Sequence, residues 1–210
     1  HHDGNPMDFS DYTLDELENQ LWQMLHAASQ DRTHAFHTPA LANAGSSGPR
    51  ARTVVLRHVD AEGRTLTFHT DARSPKIAAL QTAPEVQWLF YDPQARVQIT
   101  LSATATIHCD DPIADQAWAD APPMSRRCYL SQYAPGTPLE QPESGLPEDV
   151  QGRRPEEEET HGGREHFAVV TCHATAMHAL CLLVPLVAAQ PALEGAIEGV
   201  LRGEVPVPAA

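Results

Sequence analysis

Residues 68–80 read FHTDARSPKIAAL and contain Lys76, the only lysine in the chain. Ser74 followed by Pro75 has the form of a helix N-cap with proline at the first helical position, so KIAAL continues as helix and Lys76 falls in its first turn. A helix N-terminus already carries about half a positive charge. Setting Arg73 and Lys76 there costs stability unless an anion lies close by. Free backbone N–H groups, a serine hydroxyl and two cationic side chains are the components of a phosphate site. Asp71 offers a second reading, in which it pairs with Arg73 or Lys76 on an exposed surface for about 0–1 kcal/mol. Arg52 tips the balance toward phosphate. It opens a strand whose hairpin partner ends at Thr70 and Asp71, and antiparallel pairing brings the start of one strand beside the end of the other.

Other residue types that carry chemistry are less organised. Cys172, His173, His178 and Cys181 invite a metal reading. On a strand, however, Cys172 and His173 point to opposite faces and cannot easily share an ion, so no metal is expected. The four cysteines are widely spaced with no C-x-x-C and read as reduced thiols. His69 and His108 could move protons, but neither has a carboxylate partner visible in the sequence, and a structural role is the simpler one. Arg126 and Arg127, beside Tyr129, are either ligand contacts or a helix-surface pair.

The elements that must position these groups follow from periodicity. Thr13 and Glu16 form a capping-box pattern, and Leu14, Leu17, Leu21 and Leu25 then share one face of a helix over 14–29. Residues 38–50, with two prolines, Gly45 and Gly48, read as loop. RTVVLRHV (52–59) and RTLTFHT (64–70), joined by DAEG, read as a hairpin. VQWLFY (86–91) and RVQITLSATATIH (96–108) read as a second one. In the latter, Val97, Ile99, Leu101, Ala103, Ala105 and Ile107 alternate with polar residues, as in a half-buried antiparallel strand. Trp88 and Phe90 share a face with Val86 and read as core. Asp111 and Pro112 open a short helix through Trp118. Residues 134–165, rich in Pro, Gly and carboxylates, read as a mobile solvated loop, and HFAVVTCHA (166–174) resumes strand. Strands in number, few helices and short turns predict one mainly β domain, a small antiparallel barrel with peripheral helices.

Composition excludes several functions. A net charge of -14 removes the electrostatic basis for non-specific nucleic-acid binding. No apolar run approaches the roughly 20 residues of a membrane span. Residues 1–6 resemble a tag remnant rather than a signal peptide, which favours the cytoplasm. No G-x-x-x-x-G-K or strand-linked G-x-G-x-x-G is present, so the phosphate site is neither a P-loop nor a dinucleotide fold.

The stretch RARTVVLRHVDAEGRTLTFHTDARSPKIAALQTAPEVQWLFYDPQARVQITLSATA (50–105), followed by WADAPPMSRRCYLSQYAPG (118–136), resembles the FMN-binding split barrel of the pyridoxamine 5'-phosphate oxidase family, in its oxidase-related branch. The resemblance spans about residues 10–175. It implies a homodimer with FMN at the subunit interface. It also implies that Arg52, Ser74 and Lys76 hold the FMN phosphate. Val54, Val55 and Leu56, through their backbone, and Arg57 lie along the flavin ring, with Thr70 and Asp71 near the ribityl chain. Arg96 or Gln98 reaches the flavin from the neighbouring strand. Pro75 stands where many relatives have a basic residue. A bound flavin carries its own redox chemistry, which accounts for a chain without a catalytic triad or paired carboxylates. The tail CLLVPLVAAQPALEGAIEGVLRGEVPVPAA, with a helix expected around 191–202, lacks the basic and aromatic ending of true pyridoxine-phosphate oxidases and argues against vitamin B6 chemistry. The expected function is an FMN-dependent oxidoreductase acting on a small molecule. The alternatives are a flavin carrier or sensor without turnover, and a dimeric binding module.

Overall fold

In the computed structural model the described residues are 12–181 and 203–205. Helix α1 (Leu14–Gln30) starts at the expected capping box: Glu16 N–H donates to Thr13 Oγ1 at 3.3 Å, and Thr13 N–H to Glu16 Oε2 at 2.9 Å. Its buried face, Leu17, Leu21, Trp22 and Leu25, lies on the barrel core.

The strands are β1 (Ala40–Gly45), β2 (Gly48–Thr53), β3 (His58–Asp60), β4 (Thr65–Asp71), β5 (Glu85–Asp92), β6 (Val97–His108) and β7 (Phe167–Cys181), with β8 (Gly203–Val205) alongside β7. All pairs are antiparallel, in the order β2-β1-β5-β6-β7-β4-β3. The β5–β6 hairpin is as the sequence predicts, and β6 alternates buried and wetter positions along most of its length.

Two expectations about the first strands are overturned. Residues 38–50 are not loop, since β1 and β2 form a hairpin around the turn Gly45–Gly48, where Gly48 takes a φ of 112° that favours glycine. Strand β2 is nearly all exposed and lies at the sheet edge, the place where Pro49 is tolerated. Residues 52–59 are likewise not one strand. Arg52 ends β2 opposite Leu41, residues 54–57 leave the sheet, and only His58–Asp60 pairs with β4.

That interruption closes the barrel. Val54 N–H donates to Pro39 O at 3.0 Å and Leu56 N–H to His37 O at 2.9 Å, while Arg57 N–H donates to Thr67 O at 2.8 Å. Residues 54–57 thus carry the chain from one edge of the sheet to the other. Inside lie Trp88, Phe36, Phe68 and Phe90, all fully buried, with Leu21, Leu41, Leu66 and Leu101.

A second, smaller core sits on the opposite face of β7. Val170 and Cys172 belong to the barrel interior, whereas Phe167 and Val169 pack with Ala114, Trp118 and Tyr129. These come from α3 (Pro112–Asp120), from the short α4 (Pro123–Arg126) and from the 3-10 turn Arg127–Leu130. Asp111 caps α3 as expected, accepting from Ala114 N–H at 2.9 Å. Asp111→Ala should cost about 0.5–2 kcal/mol in urea denaturation, with an unchanged unfolding slope. Within 134–165 the structure has short 3-10 turns at Glu148–Val150 and Glu158–His166 and buries Val150 and Thr160. The helix expected around 191–202 lies outside the described residues.

Candidate functional site

Helix α2 (Pro75–Thr82) begins where the sequence places it, with Ser74 at the N-cap. The Ser74 hydroxyl makes no capping bond. It accepts instead from Lys76 Nζ at 3.0 Å, and Thr70 Oγ1, on the last turn of β4, accepts from the same ammonium at 2.6 Å. Lys76 is half-buried and its pKa is lowered, first by burial and then by the charge of Arg52, against a smaller opposing pull from Asp71. Arg52 is therefore close to Lys76, as expected, but for a different reason: it arrives from the β1–β2 hairpin, not from a partner of β4. Its guanidinium donates to Asn43 Oδ1 and, at 3.3 Å, to Leu41 O. Burial, then Arg50, lowers its pKa too.

Asp71 does not neutralise this pair. Its carboxylate accepts from Arg73 Nε at 3.0 Å, Arg73 Nη2 at 2.7 Å and Arg73 N–H at 2.8 Å. Arg73 also donates to Ser131 O at 3.0 Å. The three cations expected around the helix start are thus two. Arg73 is turned away because a buried carboxylate two residues earlier holds its fork. What remains is a lysine and an arginine, both partly desolvated, with two hydroxyls and a helix N-terminus. Neither cation makes an ion pair among the described residues. Two like charges left in this state fit a dianion such as a phosphomonoester.

The other expected residues divide. Leu56 is fully buried, while Val54 and Val55 are half-exposed, and the N–H groups of Val54 and Leu56 are occupied in closing the barrel. Arg57 follows them, with a buried Nε that has no hydrogen-bond partner among the described residues. Arg96, with a φ of 54° in the β5–β6 turn, and Gln98, on β6, stand apart. Strand β7 separates β6 from β4, and β1 and β5 separate it from β2, so β6 is not the neighbouring strand that the sequence suggests.

Two further expectations change. His108 does have a carboxylate partner: its Nδ1 lies 2.7 Å from Asp111 Oδ2 and its Nε2 lies 3.2 Å from Thr171 Oγ1. The spacing of a histidine at a strand end, three residues before an N-cap aspartate, was the available signal. Arg126 is not on a helix surface. It is 3% exposed, lies over the Trp118 ring with 5.2 Å to the centroid, and donates to Ala119 O at 2.9 Å. Arg127 is only half-buried and donates to Arg153 O at 3.0 Å. His69, beside Phe167, has its pKa lowered to about 4 by burial and then by Arg57, and is neutral at physiological pH. Asn43, which holds Arg52, was missed because its hairpin was read as loop.

Comparison with known proteins agrees with this fold. Residues 18–109 match the family model described as pyridoxamine 5'-phosphate oxidase, FMN-binding domain. No curated protein matches the chain. Among solved structures, a pyridoxamine 5'-phosphate oxidase-related, FMN binding protein from Nostoc punctiforme is 21% identical, covering 78% of this chain and 82% of its own, with a TM-score of 0.58. PhzG from Burkholderia lata, solved with tetrahydrophenazine-1-carboxylic acid, is 18% identical, covering 85% of this chain and 87% of its own, also at 0.58. A protein related to general stress protein 26 from Clostridium acetobutylicum is 10% identical over 79% of this chain and 92% of its own, with a TM-score of 0.52. The domain matched at residues 18–109 thus belongs to the FMN-binding split barrels of the pyridoxamine 5'-phosphate oxidase family, with FMN as its cofactor.

Proposed function

We propose that the protein is an FMN-dependent oxidoreductase acting on a small molecule, a cytoplasmic homodimer with FMN at the subunit interface. The observation that supports it best is the Lys76–Arg52 pair, two partly desolvated cations without a carboxylate at the start of α2. In this reading Lys76, Arg52, Ser74 and Thr70 bind the FMN phosphate and the adjoining ribityl chain. Bound FMN supplies hydride or electron transfer. Residues 54–56 present backbone along the ring, and Arg57 places positive charge beside it, where it favours electron-rich flavin. Arg96 and Gln98 belong to the same site only if a second copy brings its β6 to it, which is the reason for the dimer.

The freshly purified protein should show flavin absorbance bands, or gain them on titration with FMN. Anaerobic NADH or NADPH should then bleach them, and a small-molecule acceptor or oxygen should restore them. Bands without any reduction by a nicotinamide donor would reduce the reading to a flavin carrier. A colourless chain that ignores FMN would overturn it.

A further inference from the structure

Behind the second core a cleft of about 710 Å³ opens between α3 and the outer face of β4 and β7. Its size lies within the range of small-molecule sites. Arg57, His69 and Thr171 line it from the sheet side, with Pro112, Ile113 and Ala117 facing them from α3. Nothing in the phosphate site uses this space, and the inference that follows goes beyond the flavin reading.

Thr171 is the end of a polarised chain. Asp111 has its pKa lowered, chiefly by the Ala114 N–H that its Oδ1 accepts, so it is a carboxylate and can only accept. Its bond to His108 must therefore be donated by Nδ1–H, which in the neutral ring leaves Nε2 as an acceptor. The Thr171 hydroxyl then donates to Nε2, at 3.2 Å. With its own hydrogen engaged, Thr171 Oγ1 turns lone pairs toward the cleft. This is the hydroxyl, imidazole and carboxylate order that raises the basicity of the hydroxyl oxygen.

The opposite requirement comes from Arg57, whose buried Nε–H lacks an acceptor and calls for one. The charged and titratable groups around the cleft are Arg57, His58, Asp60, His69 and Asp120. The two carboxylates oppose a ligand with a second negative charge, in contrast to the Lys76–Arg52 pair, which has no carboxylate of its own. Pro112, Ile113, Ala117 and Val169 supply an apolar wall. We propose that the cleft is a second ligand site, for a small monoanionic acid with an apolar ring-sized body, whose acid group pairs with Arg57 and whose O–H or N–H is accepted by Thr171 Oγ1. His108 and Asp111 are positioning residues that fix the direction of that hydrogen bond.

The test uses 4-hydroxybenzoate as a probe, titrated into the full-length, FMN-supplemented protein labelled with ¹⁵N at histidine, with benzoate and 4-hydroxybenzamide as controls. The hydroxybenzoate should bind, with benzoate about five- to tenfold weaker, the scale of one neutral hydrogen bond. The amide, lacking the acid, should be weaker still. The free protein should show His108 as the Nδ1–H tautomer, and the probe should move its Nε2 resonance. Thr171→Val should bring hydroxybenzoate down to the benzoate level and abolish that movement. Equal affinities for the three compounds, no binding by any, an Nε2–H tautomer, or an unaffected Thr171→Val variant would each overturn the proposal. Thr171→Val should leave FMN affinity intact, and Lys76→Ala should leave the probe's affinity intact. Failure of the flavin reading would therefore show in the FMN titration alone, and failure of this one in the probe titration alone.

Discussion

Replacing Lys76 with alanine weakens FMN binding by about 1.5–3 kcal/mol, the worth of a charge-assisted hydrogen bond, which is roughly 10- to 150-fold in Kd. Arg52→Ala does the same within a factor of a few. Riboflavin, which lacks the phosphate, binds both variants and the parent protein alike. The comparison is read by quenching of flavin fluorescence. Unchanged FMN affinity in both variants, or an equal loss of riboflavin, would sink the phosphate assignment. The same lysine works against the unliganded fold. A lysine whose pKa is lowered on folding binds its proton less tightly in the folded chain. Its charge then costs stability at neutral pH, and the cost fades as pH rises through the folded and toward the unfolded pKa. Lys76→Met should accordingly raise the melting temperature of flavin-free protein at pH 7 while it lowers FMN affinity. The gain should shrink on moving to alkaline pH. A variant that loses both stability and affinity would mean that Lys76 is chiefly a structural hydrogen-bond donor to Thr70 and Ser74.

Trp88→Ala is expected to remove about 3–5 kcal/mol of stability, a large part of the roughly 5–15 kcal/mol that holds a domain of ordinary stability. Trp88 is fully buried, stacked on Phe90 at 5.8 Å between ring centroids and edge-on to Phe68 at 5.7 Å. Its indole N–H meets no oxygen acceptor, only the Cys172 thiol, whose pKa burial pushes up to about 12 against the small opposing effect of that contact. Trp88→Phe should thus be much milder, since it keeps an aromatic ring and deletes a poorly used donor. Urea denaturation with and without FMN separates core from cofactor roles. A core residue gives the same loss in both states. A loss seen only with flavin present would make Trp88 a ring-stacking residue instead.

The sequence was most legible where one face of an element is buried and the other wet. Helix α1, the β5–β6 hairpin and the start of α3 each carry a periodicity or a cap that has a single structural meaning. Strand β2 carries neither, because at an exposed edge nothing selects for alternation, and its glycines and proline look like loop. The cost of that misreading was Asn43 and the route by which Arg52 reaches Lys76. The helix start itself was readable, since Ser74, Pro75 and Lys76 act locally. The choice between phosphate and Asp71 was not, because it depends on the fork of Arg73 folding back two residues and on a carbonyl at Ser131, far along the chain. His108 and Thr171 meet only through the β6–β7 register, where Thr106 faces Thr171 and His108 faces Val169, a pairing no local pattern encodes.

The place of β7 in the sheet also dictates the order in which the chain becomes a protein on the ribosome. Strand β4 pairs with β7, Asp71 opposite Phe167, and β6 pairs with the other edge of the same strand. Until β7 emerges, both inner edges stand open, each with a row of unpaired N–H and C=O groups. Between β4 and β7 lie roughly 100 residues, which take about 5–20 s to translate at ordinary rates. The first hairpins can form in that interval, but the barrel cannot close. The acidic, proline-rich segment before β7 is therefore the last stretch made while the sheet is still in two pieces, and its charge helps keep those edges from pairing with another nascent chain.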